Sequence, residues 1–594
     1  MPMLDPRIYR TGFVAVALAA IVFAFSLTDQ QGPLGTTQPP DTFNGTNAFN
    51  TMKSLADKYP NRRPGSFDDN DLATIVKTRL DKLPGFAVST SWSSGRTVDG
   101  NRTLETVTAT RAGLASGTIV IVAHRDSLAS PAEADLSGTA ALLELGRVLA
   151  GERLQHTLVL ASVSGSAGAA GATQLARSLS GPIEGVIVLG DLAGTRTRQP
   201  VVVPWSNGQQ VAPPLLRNTV GAALTAQAGL KPGGMSLGGQ VARLALPLTI
   251  SEQGAFGVRG LPAVLVSVSG ERAPSALEPV GHGERLAAVG AGVLQAVNAL
   301  DSASAVPAPA PYLLYDGKVI PAWAVRLLVL ALILPVLGVT IDGLARARRR
   351  GHSISRWTVW VLSGAVPFVL ALPLVFGARA TGLISVAPSA PVGSDAVPLH
   401  GSGVVVMLLI ALCLAVAFFA LRPMMIALSG GQRKLEGSAA EGAGVAVLLV
   451  MCVTALAIWL TNPFAALLLV PALHLWMWVV DPEVRLHPVA VVAMLVIGLA
   501  PPVLVIIYYA NALALGPVGV LWNGLLMVAG GHITVLTAVE WSVLLGCVAS
   551  VLLIAAQSLR QPAPEQMPIT VRGPITYAGP GSLGGTKSAL RVRR

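Results

Sequence analysis

The sequence predicts two fold classes in one chain: an extracytoplasmic α/β domain whose mostly parallel sheet is covered by helices on both faces, and an all-α transmembrane bundle of about eight helices. Three observations lead there. Only 12% of the 594 residues are charged and 52% are hydrophobic, against roughly 25% charged in a soluble chain. The apolar residues gather into runs long enough to cross a bilayer, one near the N-terminus and the others beyond residue 320. Between them, residues 30–305 alternate short β-branched runs with helical patterns, as a soluble domain does.

The first apolar run, 11–27, follows Arg7 and Arg10. A signal peptide is the competing reading, but the small-residue cleavage site is poor, so residues 1–29 are expected to be a cytoplasmic tail and a retained anchor. The outer domain occupies 30–305, and a Pro/Ala-rich linker 306–320. The bundle, 321–557, holds further spans at 322–341, 357–376, 404–421, 445–460, 465–480, 489–509 and 535–556. The Gly-rich apolar stretch 511–533 is a re-entrant or interfacial helix, or one more span. Residues 558–594 form a basic cytoplasmic tail whose Pro, Gly and Ser content reads as disordered.

Charge parity orients the spans. Arg7 and Arg10 place the N-terminus inside, so 30–318 lie outside and the Arg346, Arg348, Arg349, Arg350 cluster returns inside. The loop 381–400, without Lys or Arg, then falls outside, and Arg422, Arg433 and Lys434 inside. Eight spans also put Arg591, Arg593 and Arg594 inside, whereas nine would not. The net charge of +11 therefore points to the lipid bilayer as partner, not to nucleic acid. The three cysteines, Cys413, Cys452 and Cys547, all sit in apolar spans, so the outer domain has neither a disulfide nor a cysteine metal site.

Within the outer domain, residues 117–123, 157–163, 185–190 and 263–268 read as buried strands. Helical patterns at 136–149, 169–178 and 284–300 alternate with them. In such sheets ligands bind beyond the carboxyl ends of the strands. There the sequence places His124 and Asp126, then Asp135 at the mouth of a helix, then Asp191. One imidazole with two carboxylates, His124, Asp135 and Asp191, suits a divalent metal. Asp135 as a helix cap and Asp191 as a solvated turn residue is the structural alternative.

The order of these pieces resembles the M28 family of zinc aminopeptidases. His124-Arg-Asp-Ser127, Asp135-Leu-Ser-Gly138, Val188-Leu-Gly-Asp191, the Gly-rich turn 168–171, and Ser251-Glu-Gln-Gly-Ala-Phe256 followed by Gly260-Leu-Pro-Ala263 fall in the family's sequence of motifs, over roughly 45–302. The resemblance implies an aminopeptidase-like fold with one metal held by His124, Asp135 and Asp191, and Asp126 steering the imidazole. It also exposes departures. Gly165 and Ser166 stand where the family carries a Glu pair, the general base and a ligand of the second metal. The late His ligand has no clear counterpart: Arg272 falls near it, and His282 about ten residues too late. The resemblance thus implies a degenerate site, with no zinc or one weakly bound zinc.

The layout, an anchor, a degenerate domain of this kind and about seven further helices, is similar to that of the Gaa1 subunit of the eukaryotic GPI transamidase, whose domain is not the catalytic one. The Ala- and Arg-rich composition reads as that of a high-GC bacterium, where GPI anchoring is not expected.

Three functions follow as expectations. The first is a binding or assembly module for an extracytoplasmic peptide, protein or envelope component. The second is an active membrane-anchored aminopeptidase whose missing groups come from Glu252 or His282. The third is a transporter or lipid-handling protein with an accessory outer domain, for which Glu540, in the last span, and His474 are the intramembrane ionisable residues to watch. Asp481 and Glu483, at a cytoplasmic helix end, read as solvated. A dinucleotide loop at 165–171 lacks the G-x-G spacing, and Ser164 and Ser166 lack the setting of a nucleophile.

Overall fold

The structure, a computed structural model, describes residues 4–36, 42–303, 305–384, 388, 390–393, 396–428, 440–481, 484 and 486–560. Arg433, Lys434, Glu483 and the tail from Gln561 to Arg594, all invoked above, lie outside the described residues.

The chain opens with α1 (Pro6–Phe25), β1 (Thr28–Asp29), α2 (Gly45–Lys58), α3 (Phe67–Asp81) and the hairpin of β2 (Ala87–Thr97) and β3 (Gly100–Arg111). β4 (Thr118–His124) leads through a 3-10 turn, Glu133–Leu136, into α4 (Ser137–Leu149). Then come β5 (Thr157–Val163), α5 (Ala170–Ser178), β6 (Ile183–Leu189), β7 (Val202–Val203), α6 (Pro214–Ala228), α7 (Leu237–Ala245), α8 (Gln253–Val258), β8 (Ala263–Val266) and α9 (Glu284–Asp301). The short strands β9 (Tyr312–Tyr315) and β10 (Lys318–Pro321) precede the bundle.

The main sheet has seven strands in the order β2-β3-β5-β4-β6-β8-β7. Its centre, β5, β4, β6 and β8, is parallel, and β2, β3 and β7 are antiparallel. The four parallel strands are the four read from β-branched runs: a strand buried on both faces needs apolar side chains on both. On β4, Val120 and Val122 enter one core while Ile119 and Ile121 enter the other, the period of two that a pleated strand imposes. The second of these cores is closed by α2, α3, α4, α6 and α9. The first, under α5 and α8, runs on through Trp205, Leu244 and Leu248 into the helical bundle.

The bundle comprises α10 (Ala322–Arg349), α11 (Ile354–Leu362), α12 (Val366–Ala380), α13 (Gly401–Val416), a π-turn Ala417–Leu421, α14 (Arg422–Leu428), α15 (Ala440–Thr461), α16 (Pro463–Leu467), α17 (Val470–Val479), α18 (Pro488–Ala512), α19 (Pro517–Gly530) and α20 (Val535–Arg560). Among the described residues, seven helical stretches are long and apolar enough to cross a membrane. The expected span at 465–480 is not among them. It is the broken pair α16 and α17, a shorter apolar stretch from Pro463 to Val479. It runs back along α15: Asn462 follows the end of α15, and the Val480 carbonyl lies 2.4 Å from where a Cβ on Gly444 would stand. α19, in the ambiguous stretch, stays at the end of the bundle that carries the α/β domain. Arg96 of β2 donates to the Gly530 carbonyl at 3.3 Å, and Arg379 donates to that of Ala529.

Two further expectations need correction. The linker 306–320 is partly strand: β9 and β10 form a hairpin that pairs with β1, just past the anchor, in a three-stranded sheet. The boundary at residue 29 therefore cuts through a small structural unit. Asp481, expected to be solvated, is buried at 5% exposure.

Domain and bundle are joined by side-chain hydrogen bonds, one of them from a residue that caps its own helix at the same time. Asn462 accepts the Phe464 and Ala465 N–H groups at 3.0 and 3.1 Å, capping α16, and donates to the Leu244 and Ala245 carbonyls at 2.9 and 3.1 Å. Gln209 donates to the Thr461 carbonyl at 2.9 Å, and the Tyr509 hydroxyl to that of Leu246.

Candidate functional site

The predicted residues gather at the carboxyl ends of β4, β5 and β6. His124 closes β4 and pairs in register with Val163, so the turn after β5 lies beside it. Asp191 follows β6, separated from it only by Gly190. Asp135 sits in the 3-10 turn ahead of α4, which a fully buried arginine holds in place: Arg62 donates to the Pro131 and Ala132 carbonyls at 2.8 and 2.5 Å. Gly138 lets α4 come against β6. A Cβ there would stand 2.6 Å from the Leu189 carbonyl oxygen and 2.9 Å from that of Gly190.

The ring of His124 has a different partner from the one expected. Its Nδ1 lies 2.9 Å from Glu252 Oε2, and the two side chains are 14% and 5% exposed. Asp126, expected to steer that ring, instead accepts the Ser166 N–H at 3.1 Å and the Ser166 hydroxyl at 2.9 Å. Glu252 is the N-cap residue of α8. His282 is exposed, between Gly281 and Gly283 ahead of α9.

Burial alone would lower the His124 pKa, but Glu252, with Asp135 and Asp126, outweighs it and holds the imidazole up to about 9. Asp126 is pushed up to about 7, chiefly by burial, although His124 pulls the other way. Burial also raises Asp135, against the pull of His124, Ser127 and Arg62. Asp191 is raised by burial, opposed by its hydrogen bonds to Ser269, Gly194 and Ala193.

Zinc, implied by the resemblance, can be tested on the donors present. Both Asp191 oxygens are engaged: Oδ1 accepts the Ala193 and Gly194 N–H groups at 3.0 and 2.8 Å, and Oδ2 the Ser269 hydroxyl. One Asp135 oxygen accepts the Ser127 hydroxyl at 2.6 Å. What remains open is one buried oxygen each on Asp135 and Glu252, neither with a hydrogen-bond partner. Among the described residues, no group of three or more His, Cys, Asp or Glu is placed to hold a metal ion. The residues present do not fit a two-ion centre, so no chemical step is derived through one.

Sequence reasoning missed the frame beneath this cluster. Arg125, inside the His-Arg-Asp motif, is fully buried and pairs with Asp69 at 2.9 Å. It also donates to the carbonyls of Glu105, Ser162 and Asp69. Asp69 in turn accepts the Ser164 hydroxyl at 2.6 Å and the Gly65 N–H at 2.8 Å. Asp69 lies in the first turn of α3, an element that the sequence reading did not single out. In the bundle, His474 is structural: one ring nitrogen meets the Tyr9 hydroxyl at 2.8 Å and the other the Leu332 carbonyl at 2.8 Å, tying α17 to α1 and α10. Glu540 is half-buried in the first turns of α20.

No family model and no curated protein matches the sequence. Among solved structures, the chain is similar to the glutaminyl cyclase of Porphyromonas gingivalis, at 17% identity and a TM-score of 0.32, over 43% of this chain and 98% of that one. A leucine aminopeptidase precursor from Bacteroides thetaiotaomicron is similar at 14% identity and a TM-score of 0.36, over 45% and 99%. LapA aminopeptidase from Legionella pneumophila is similar at 15% and 0.34, over 44% and 73%. The likeness concerns fold alone: a mixed α/β domain similar to the M28 aminopeptidase folds, joined here, among the described residues, to seven apolar helical stretches that by length and composition could cross a membrane.

Proposed function

We propose that the α/β domain is a hydrolytically silent module, displayed outside the cytoplasm on a polytopic membrane base, that binds or assembles with a peptide, protein or envelope component. The observation that carries this reading is the turn after β5. Gly165 and Ser166 occupy it, and Ser166 uses its N–H and hydroxyl to hold Asp126. No carboxylate stands there to take a proton from water. Loss of a general base alone costs about 10²–10⁴-fold in rate. The Gaa1-like layout supports an assembly role. The basic flanks described above support cytoplasmic termini and an outer domain at residues 30–318.

One observation favours the peptidase alternative: Glu252 reaches the cluster and keeps one buried oxygen open. The same assay separates the two. The purified full-length protein, incubated with aminoacyl-p-nitroanilides and added zinc, is expected to release nothing above the protein-free rate. Chelator-sensitive turnover lost in Asp135→Ala would establish the peptidase instead. Zinc titration is expected to find at most one ion, lost in His124→Ala; two ions would contradict the assignment of the missing ligands.

A further inference from the structure

A cleft of about 150 Å³ opens where the β9–β10 hairpin meets the α/β domain, and no residue of the His124 cluster lines it. Trp205, Met235, Tyr312 and Leu314 supply its apolar wall. Two of its polar side chains are committed to holding the hairpin. The Tyr312 hydroxyl donates to the Ala212 carbonyl at 2.6 Å, and the Gln240 amide meets the N–H and the carbonyl of Leu314 at 2.7 and 2.9 Å.

Arg217, from the first turns of α6, is the exception. Its Nη2 donates to the Gly233 carbonyl at 2.8 Å, but its Nε is buried without a partner. The indole N–H of Trp205, a residue only 8% exposed, is buried without an acceptor in the same way. Among the described residues no carboxylate pairs with Arg217. Asp316, the acid of the cleft, is exposed in the hairpin turn and exerts no pull on it. Burial draws the guanidinium below its ordinary pKa, and only Tyr312 opposes that shift.

Buried charges are normally paired, and buried donors normally have acceptors. This one cleft holds a cation without its anion and two donors without acceptors. A planar guanidinium matches a carboxylate, whose two oxygens accept parallel N–H bonds. A single positive charge balances a monoanion, and the aromatic and aliphatic wall suits an apolar group beside it.

We propose that this cleft binds a carboxylate carried on a short apolar or aromatic group, with Arg217 as its ion partner and the Trp205 indole as a second donor. The hairpin that forms one wall runs directly from Pro321 into α10, so the ligand sits at the junction of domain and bundle. The site does not depend on whether the His124 cluster is catalytic.

The test uses calorimetric titration of the full-length protein in nanodiscs. Phenylacetate is expected to bind, and phenylacetamide, its neutral counterpart, to bind at least about 10-fold more weakly. Arg217→Gln is expected to weaken phenylacetate about 10- to 100-fold and Trp205→Phe about 2- to 10-fold, the factors that one charged and one neutral hydrogen bond confer. Arg217→Lys, which keeps the charge but loses the paired donors, should fall between wild type and the glutamine variant. Because the guanidinium is buried without a carboxylate, the thermal midpoint of ligand-free Arg217→Gln should be no lower than that of wild type. Gly234 offers a variant that leaves both donors in place. It lines the cleft, and a Cβ there meets no atom within 4 Å, so Gly234→Leu enters the space without a clash and should abolish binding. A dipeptide ending in phenylalanine separates the sources of the carboxylate. If it binds more tightly than phenylacetate and loses binding on amidation, the ligand is a peptide C-terminus; if it binds more weakly, the ligand is a free organic acid. No binding of either acid to the wild type, or phenylacetate bound equally well by Arg217→Gln and Gly234→Leu, would overturn the proposal.

Discussion

His124 and Glu252 form the ion pair around which the other carboxylates of the site are arranged, and their protonation should govern its stability. The His124 pKa, held up to about 9, lies above the ordinary imidazole value near 6.5. Its contribution to stability is therefore complete below about pH 6.5 and lost as pH rises through about 9. Asp126, raised to about 7, acts in the same direction at lower pH: its neutral form suits the fold, and stability falls between about pH 4 and 7. The thermal midpoint of the full-length protein is thus expected to decline from pH 5 to pH 9.5. In Glu252→Gln the upper part of that decline, from pH 7 to 9.5, should shrink to less than half, since the main attraction that raises His124 is gone. A wild-type midpoint that is flat or rising above pH 7 would show that the charged pair does not form. Glu252 was legible only as an alternative donor in the Ser-Glu-Gln stretch. Nothing in its sequence neighbourhood tells that α8 would carry it across to the end of β4.

At the scale of elements, the site depends on how closely α4 approaches β6. Gly138 in the Ser-Gly motif is the residue that permits it, with carbonyl oxygens of β6 and its following turn 2.6 and 2.9 Å from where a Cβ would be. Backbone carbonyls cannot rotate away as side chains can, so Gly138→Ala is expected to push α4 outward and cost about 1–3 kcal/mol. The midpoint of the full-length protein, or protease resistance of the α/β domain, would record the loss, and an unchanged value would mean that α4 stands further off. The strands show what patterning can reveal. β4, β5, β6 and β8 were legible because burial on both faces demands continuous β-branched runs. The β2–β3 hairpin was missed because its exposed outer strand carries Ser, Thr and Arg in place of an apolar face. Its one local signal is the Asp99-Gly100 turn.

For the whole molecule, the arrangement of ends complements the charge parity. Arg346 joins Asp5 at 2.8 Å and Asp342 at 2.6 Å, so the start of α1 and the basic end of α10 share one end of the bundle. The α/β domain is fixed at the other end through Asn462, Gln209 and Tyr509. In a cysteine-free background in whole cells, a cysteine introduced at exposed Ser178 should react with a membrane-impermeant maleimide. One introduced at Arg350 should react only after permeabilisation. Labelling of position 350 from outside would invert the orientation.

The sequence by itself determined the classes of structure and their order along the chain, because hydrophobic length and period are local properties that burial in lipid or in a sheet imposes directly. It also placed His124, Asp126 and Asp191 at or just past strand ends, and Asp135 at the mouth of a helix. Only the tertiary structure decided who bonds to whom. Glu252 reaches His124, Ser166 takes Asp126, and Asp69 is buried against Arg125. Packing also turned the expected linker into a hairpin beside the anchor. Such pairings join residues from 40 to almost 300 positions apart. They rest on which faces of distant elements come together, and no local period records that.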